Sequence, residues 1–136
     1  MKRDKNTRIK AILLDPKKRE IHKVEFQGIA QLYQILECDT IQGFRSYWPG
    51  KHNDEIMYFD EEALIRKTDE IRYAVGHAFL SVESVMPIIG RVIICRISEE
   101  GIHSDTSHET HEISRLVRWY QIPPRKATQM NNIIIN

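Results

Sequence analysis

The chain has 136 residues, enough for one domain with a real core, and a formal net charge of only +1. That balance excludes a global electrostatic pull onto nucleic acid or anionic membrane, so any phosphate contact must come from a local cluster. The two cysteines, Cys38 and Cys95, are distant, sit in apolar settings and form no Cys-x-x-Cys pair, which reads as free thiols in a reducing compartment.

The N-terminal MKRDKNTRIK is charged, and the AILL that follows is too short for a signal peptide or a membrane span, so a cytoplasmic protein is expected. IKAILL reads as a strand ending at Asp15-Pro16. DPKKRE is a turn, with proline presetting the backbone and the charges staying wet. REIHKVEF alternates Ile21, Val24 and Phe26 with polar residues and completes a hairpin. After Gly28, the spacing of Ile29, Leu32, Tyr33 and Leu36 predicts a first helix over residues 29–37.

TIQGFRSYW reads as a strand, PGKHND as a loop tip and EIMYFD as the next strand. DEEALIRK fits a helical turn or a short strand, and residues 69–86 carry apolar residues at both periods. GRVIICRIS is nearly continuous in apolar residues, the pattern of a central strand, and SEEG is a turn. Thr106-x-x-Glu109 has the spacing of a capping box, and Ile113, Leu116, Val117 and Tyr120 form a helical stripe that Pro123-Pro124 stops. A second helix is therefore predicted over residues 107–121. The expected fold is α+β: a single compact domain over residues 1–122, with a mostly antiparallel sheet and those two helices. Residues 123–136 form a tail whose Ile133, Ile134 and Ile135 suit a late strand or an oligomer contact.

From residue 10 to about residue 101, the chain resembles an uncharacterised domain family of bacteriophages and mobile elements. The resemblance rests on DPKKREIHKV, LYQILECDTI, FDEEALI and PIIGRVIIC followed by SEEG, with Cys38-Asp39 and the acidic pair ahead of Leu64 its most particular pieces. The chain departs from it in the last strand, where Ile93-Ile94-Cys95 replaces the usual glycine and valine. The resemblance implies a phage or prophage accessory protein. It carries over no functional residue, and residues beyond Gly101 lie outside it.

Three constellations carry chemistry. On the predicted second helix, His108, His111 and Glu112 fall at i, i+3 and i+4, with His103, Asp105 and Glu109 nearby. That spacing suits a metal, yet His-Glu-x-x-His is absent, and a solvated helix start explains the same residues. Arg115 and Arg118 offer forks for phosphate, and Trp119 a stacking surface beside them. Arg45, Tyr47 and Trp48 repeat that chemistry on a strand, with Arg45 and Tyr47 on one face. No Gly-rich phosphate loop occurs, and no catalytic set is complete.

These residues point to a non-enzymatic binder of a small anionic ligand, a nucleotide or cyclic nucleotide signal. Arg45, Tyr47, Trp48, His108, His111, Arg115, Arg118 and Trp119 are the expected contacts. A homo-oligomer would complete the pocket; no cofactor, membrane, DNA or RNA contact is implied. The alternatives are a protein-interaction module that inhibits a host protein, and a metal-dependent phosphodiesterase built on the histidines at 103–112.

Overall fold

The structure is a computed structural model that describes residues 7–45, 54–63, 71–77 and 88–124. Strands β1 (Ile9–Asp15) and β2 (Glu20–Phe26) pair antiparallel from Ile9↔Phe26 to Asp15↔Glu20, the expected hairpin. Asp15 closes it. Its carboxylate accepts the amides of Lys17 (3.1 Å) and Lys18 (3.3 Å), which fixes the turn without using either lysine side chain.

Gly28, at φ 82, breaks the strand and starts α1 (Ile29–Leu36). Glu37 ends it in the left-handed region, where the amides of Glu37 and Cys38 bond back to Gln34 and Tyr33. Leu32 and Leu36 are buried, whereas Ile29, the first residue of the expected stripe, is exposed. It lies at the helix start, before the helix reaches the sheet.

Strands β3 (Ile41–Arg45), β4 (Glu55–Asp60) and β7 (Val92–Ile97) join the hairpin in the order β2-β1-β7-β4-β3, every pair antiparallel. β7 is central, as its apolar run predicts, and Val92, Ile93, Ile94 and Cys95 are fully buried. Alternation sends Ile93 and Cys95 to a core with Leu32 and Leu36 of α1, and Val92 and Ile94 to a core on the opposite face. The turn 98–101 closes with Gly101, at φ 85, donating to the Ser98 carbonyl. The two-residue β8 (His103–Ser104) then pairs with Arg96 and Ile97, beyond the point where β1 leaves β7. The amide of Thr106 donates to the carbonyl of Lys10, and the amide of Lys10 to the carboxylate of Asp105, so this segment fills the gap between the two strands.

Within the stretch of mixed periodicity, residues 72–77 are a strand, β5 (Arg72–His77). It forms a second antiparallel sheet, order β6-β5-β9, with β6 (Ile88–Ile89) and β9 (Val117–Ile122). Val75, Val117 and Trp119 of this sheet join Ile113 and Leu116 of α2 (Thr110–Leu116) on the second core. The large sheet is thus packed between α1 on one face and the small sheet with α2 on the other. The α+β class is as expected.

The second helix is shorter than its sequence pattern implies. It spans Thr110–Leu116, and the chain turns extended at Val117. Val117 and Trp119 fit a two-residue period as well as a helical one, and pairing with β5 selects the strand. The capping box is also displaced: Glu109 is the cap and Glu112 its reciprocal partner, its side chain accepting the Glu109 amide at 2.9 Å. The Thr106 hydroxyl is engaged elsewhere, by Glu55. The isoleucines at 133, 134 and 135 and the loop PGKHND up to Asn53 lie outside the described residues.

Candidate functional site

Glu55 is the polar centre of the second face. It opens β4 and is completely buried. Its carboxylate accepts the Thr106 hydroxyl at 2.7 Å, the Ser107 amide at 3.1 Å and the Ser107 hydroxyl at 2.8 Å. The His108 ring nitrogen Nε2 lies 3.7 Å away and Arg96 Nε 3.9 Å away. Arg96 is held mainly by Asp54, which it meets at 2.6 Å and 2.9 Å; that hydrogen bond raises the basicity of its guanidinium. The segment 105–108 is therefore tied to β4 by the Glu55 carboxylate and to β1 by one backbone bond and the Asp105 carboxylate.

On the other face, Tyr58 meets His103 Nε2 at 2.7 Å, and the rings of Phe26 and Tyr58 pack edge-on to the imidazole. Burial, more than the neighbouring Cys95, pushes the Tyr58 phenol up, and burial pushes His103 down from the usual 6.5. A protonated phenol therefore donates to a neutral imidazole. Burial first, and then Glu55, raise the Cys95 thiol, so it stays a thiol and is no nucleophile. Cys38 and Cys95 are both free, in keeping with the expected thiols.

The depressed His103 gives a pH prediction. The unfolded chain takes up the proton first, so stability is fully present above about pH 6.5 and falls as the pH drops toward the folded value. Urea unfolding midpoints measured from pH 7.5 down to 5.5 should decline, and His103→Gln should flatten the decline. Identical slopes for the two proteins would assign the acid sensitivity to other groups.

Among the described residues, at least two concavities are large enough for a small ligand. One, of about 720 Å³, lies between the hairpin and residues 105–109. Its cations Arg8, Lys10 and Lys23 are matched by Glu25, Asp105 and Glu109. Two of these pairs meet in the open, Lys23 with Glu109 at 3.5 Å and Arg8 with Glu25 at 3.9 Å. His108 contributes to the wall, but both of its ring nitrogens are shielded from solvent. This is a groove of balanced, largely solvated charge.

The second, of about 660 Å³, is a cleft where the two sheets meet, near the C-terminal end of α1. It is lined by Lys17 and Lys18 of the hairpin turn, Arg72 and Tyr73 of β5, and Arg91 ahead of β7, against three carboxylates, Asp15, Glu37 and Asp60. Most of the carboxylate charge is already answered. Arg91 binds Asp15 at 3.5 Å and Glu37 at 3.4 Å, and also donates to the Ile35 carbonyl at 2.9 Å. Asp60 accepts the Glu62 amide at 3.0 Å. The four cations exceed the three carboxylates by one charge; two of them are exposed lysine side chains, and Arg72 is 8% exposed. Half-buried Tyr73 and exposed Ile71 also line the cleft.

None of the described residues singled out by sequence lines this cleft. Arg45 extends from the end of β3 and donates to the carbonyls of Ile97 (3.2 Å) and Ser98 (3.5 Å). Tyr47 and Trp48 lie outside the described residues. His108 is buried against Glu55, His111 is exposed on α2, and His103 faces Tyr58. Because His108 precedes the helix, the helical spacing that would place it on one face with His111 and Glu112 does not apply. Among the described residues, no three His, Cys, Asp or Glu side chains are placed to hold a metal ion. Arg115 is exposed in the last turn of α2, and Arg118 is exposed on β9. Trp119, on the opposite face of β9 from Arg118, packs on the second core. Neither arginine lines either concavity.

Comparison with protein-family models, curated proteins and solved structures found no match. The site rests on its own geometry. The arginine-aromatic signal sought in sequence occurs a third time, at Arg72-Tyr73, inside the stretch of mixed periodicity. The lysines of DPKKRE read as a wet turn because nothing local shows that β5 and the end of α1 stand beside it. No described helix is long and apolar enough to cross a membrane.

Proposed function

We propose that the chain binds and sequesters a small anionic ligand of the nucleotide class without turning it over, and that it does so in the cleft at the sheet junction. The observation that carries this reading is the cleft's composition. Its cations Lys17, Lys18, Arg72 and Arg91 exceed its three carboxylates by one charge, and Tyr73 also lines it, in a volume of about 660 Å³. Lysine and arginine answer phosphate charge, an aromatic face accepts a base, and the volume lies within the usual range for small-molecule sites. The resemblance to phage and mobile-element proteins supplies a physiological form: holding a nucleotide signal would silence a host defence.

Calorimetric titration with inorganic phosphate, AMP, ATP and a cyclic mononucleotide tests the reading. The double variant Lys17→Ala, Lys18→Ala leaves the Asp15 turn intact, because the two lysines hold it through their backbone amides. It should weaken nucleotide binding about tenfold, roughly 1.4 kcal/mol. Arg115→Ala, remote from the cleft lining, should leave binding unchanged. Nucleotide recovered chemically intact after incubation supports sequestration. Recovery of a hydrolysed product, or no binding by any of the four, would discard it.

A further inference from the structure

The three carboxylates of the ligand cleft differ in how they are held. Asp15 and Asp60 are buried and tied to backbone: Asp15 accepts the amides of Lys17 and Lys18, and Asp60 that of Glu62. Glu37 has a side chain 67% exposed that reaches Arg91 Nη1 at 3.4 Å, a surface ion pair of small worth. Its backbone is also unusual. Glu37 caps α1 at φ 56, in the left-handed region that glycine takes freely and other residues take under strain. The cap itself needs no side chain, because the backbone amides of Glu37 and Cys38 make it. What glutamate adds at this position is a carboxylate on Arg91. Arg91 does not depend on it. Nη1 also donates to the Ile35 carbonyl at 2.9 Å, and Nη2 lies 3.5 Å from Asp15. These two contacts keep the guanidinium in place if Glu37 swings into solvent, and they leave an Nη1 hydrogen for another anion.

We propose that Glu37 is an internal placeholder for the ligand's phosphate, which displaces it from Arg91 and takes over the guanidinium. The proposal rests on the nucleotide-binding reading of the cleft and assigns the phosphate anchor within it. Phosphate is the stronger partner, because it brings more charge than a carboxylate and meets the planar fork with two oxygens at once. The exchange also changes the charge of the cleft. With Glu37 in place, four cations face three carboxylates; with Glu37 displaced, four face two. Arg91 therefore keeps its position without a ligand and is released to the ligand only when an anion outcompetes Glu37.

Calorimetric titration of the full chain with inorganic phosphate, AMP and ATP tests the exchange, with circular dichroism and thermal melting as the check on folding. Glu37→Gln keeps the size of the side chain and removes the competing charge. It should tighten AMP and ATP about three- to fivefold. Glu37→Gly should tighten them as much, with no loss of melting temperature, since glycine suits the left-handed cap. Glu100→Gln removes the same charge from the exposed turn 98–101, away from the cleft lining, and should leave binding unchanged. In an Arg91→Met background, Glu37→Gln should bring no gain. If Arg91→Met fails to fold, the contrast between Glu37→Gln and Glu100→Gln decides. Wild-type binding that Glu37→Gln leaves unchanged or weakens overturns the exchange and leaves the nucleotide reading standing. So does an equal gain from Glu100→Gln, or a gain that survives Arg91→Met. If neither the wild-type chain nor Glu37→Gln binds any of the three, the nucleotide reading falls and the exchange with it.

Discussion

Glu55→Ala should lower the unfolding free energy by about 3–5 kcal/mol, a large part of what a domain of this size has. The side chain is fully buried, and its carboxylate gathers three hydrogen bonds from Thr106 and Ser107. Removing it leaves those donors facing a cavity, where each unmet group costs about 1–3 kcal/mol. Arg96 adds less to the loss, because Asp54 still holds it at 2.6 Å. Glu55→Gln keeps the volume and one accepting oxygen, and a hydroxyl of Thr106 or Ser107 can rotate to accept from the new amide, so it should cost less, about 1–3 kcal/mol. Urea unfolding gives the order, with alanine worse than glutamine. Hydrogen exchange gives the place: the amide of Ser107, which donates to Glu55, should lose protection before the central strands do. A loss below 1 kcal/mol for alanine would show that the segment 105–108 is held by its bonds to β1 alone.

Ile94→Ala should be nearly as costly, about 2–5 kcal/mol, against about 0.5–1.5 kcal/mol for Ile94→Val. Ile94 is completely buried on the central strand, opposite Ile12 of β1 and Met57 of β4. It faces the core in which Val75, Ile113 and Trp119 bring the second sheet and α2 onto the first. Truncation there loosens the packing between the layers. The neighbouring strands are fixed by backbone pairing and cannot collapse into the space, so the cavity term stays. Chemical denaturation of the two variants measures both values. If Ile94→Ala cost no more than Ile94→Val, the sheets would be free to close over the missing atoms.

The elements most legible in sequence are those whose pattern is local. The hairpin at Asp15, the helix after Gly28, the central strand at Val92–Ile97 and the turn before Gly101 each follow from alternation, apolar runs and turn residues. The second helix shows where this stops. Its true cap, Glu109 with Glu112, lies three residues beyond the box that Thr106 suggests, and its end at Leu116 has no local mark. Val117 and Trp119 suit either period, and the partner strand β5 selects one.

The site divides in the same way. Composition alone determined that any phosphate contact would have to come from a local cluster, and the cysteine setting pointed to the free thiols that the structure shows. Which cations cluster was decided by the tertiary structure. Lys17, Lys18, Arg72 and Arg91 come from three separate stretches of chain and meet only because the second sheet packs beside the hairpin turn and the end of α1. The burial of Glu55 is likewise invisible locally. Its position in EIMYFD reads as a strand terminus open to water, and only the segment 105–108, folded over it from some fifty residues away, removes that water. Periodicity records which face of an element is apolar. It does not record what a distant element places over a polar group, and in this protein that placement decides which charges are buried and which stay exposed.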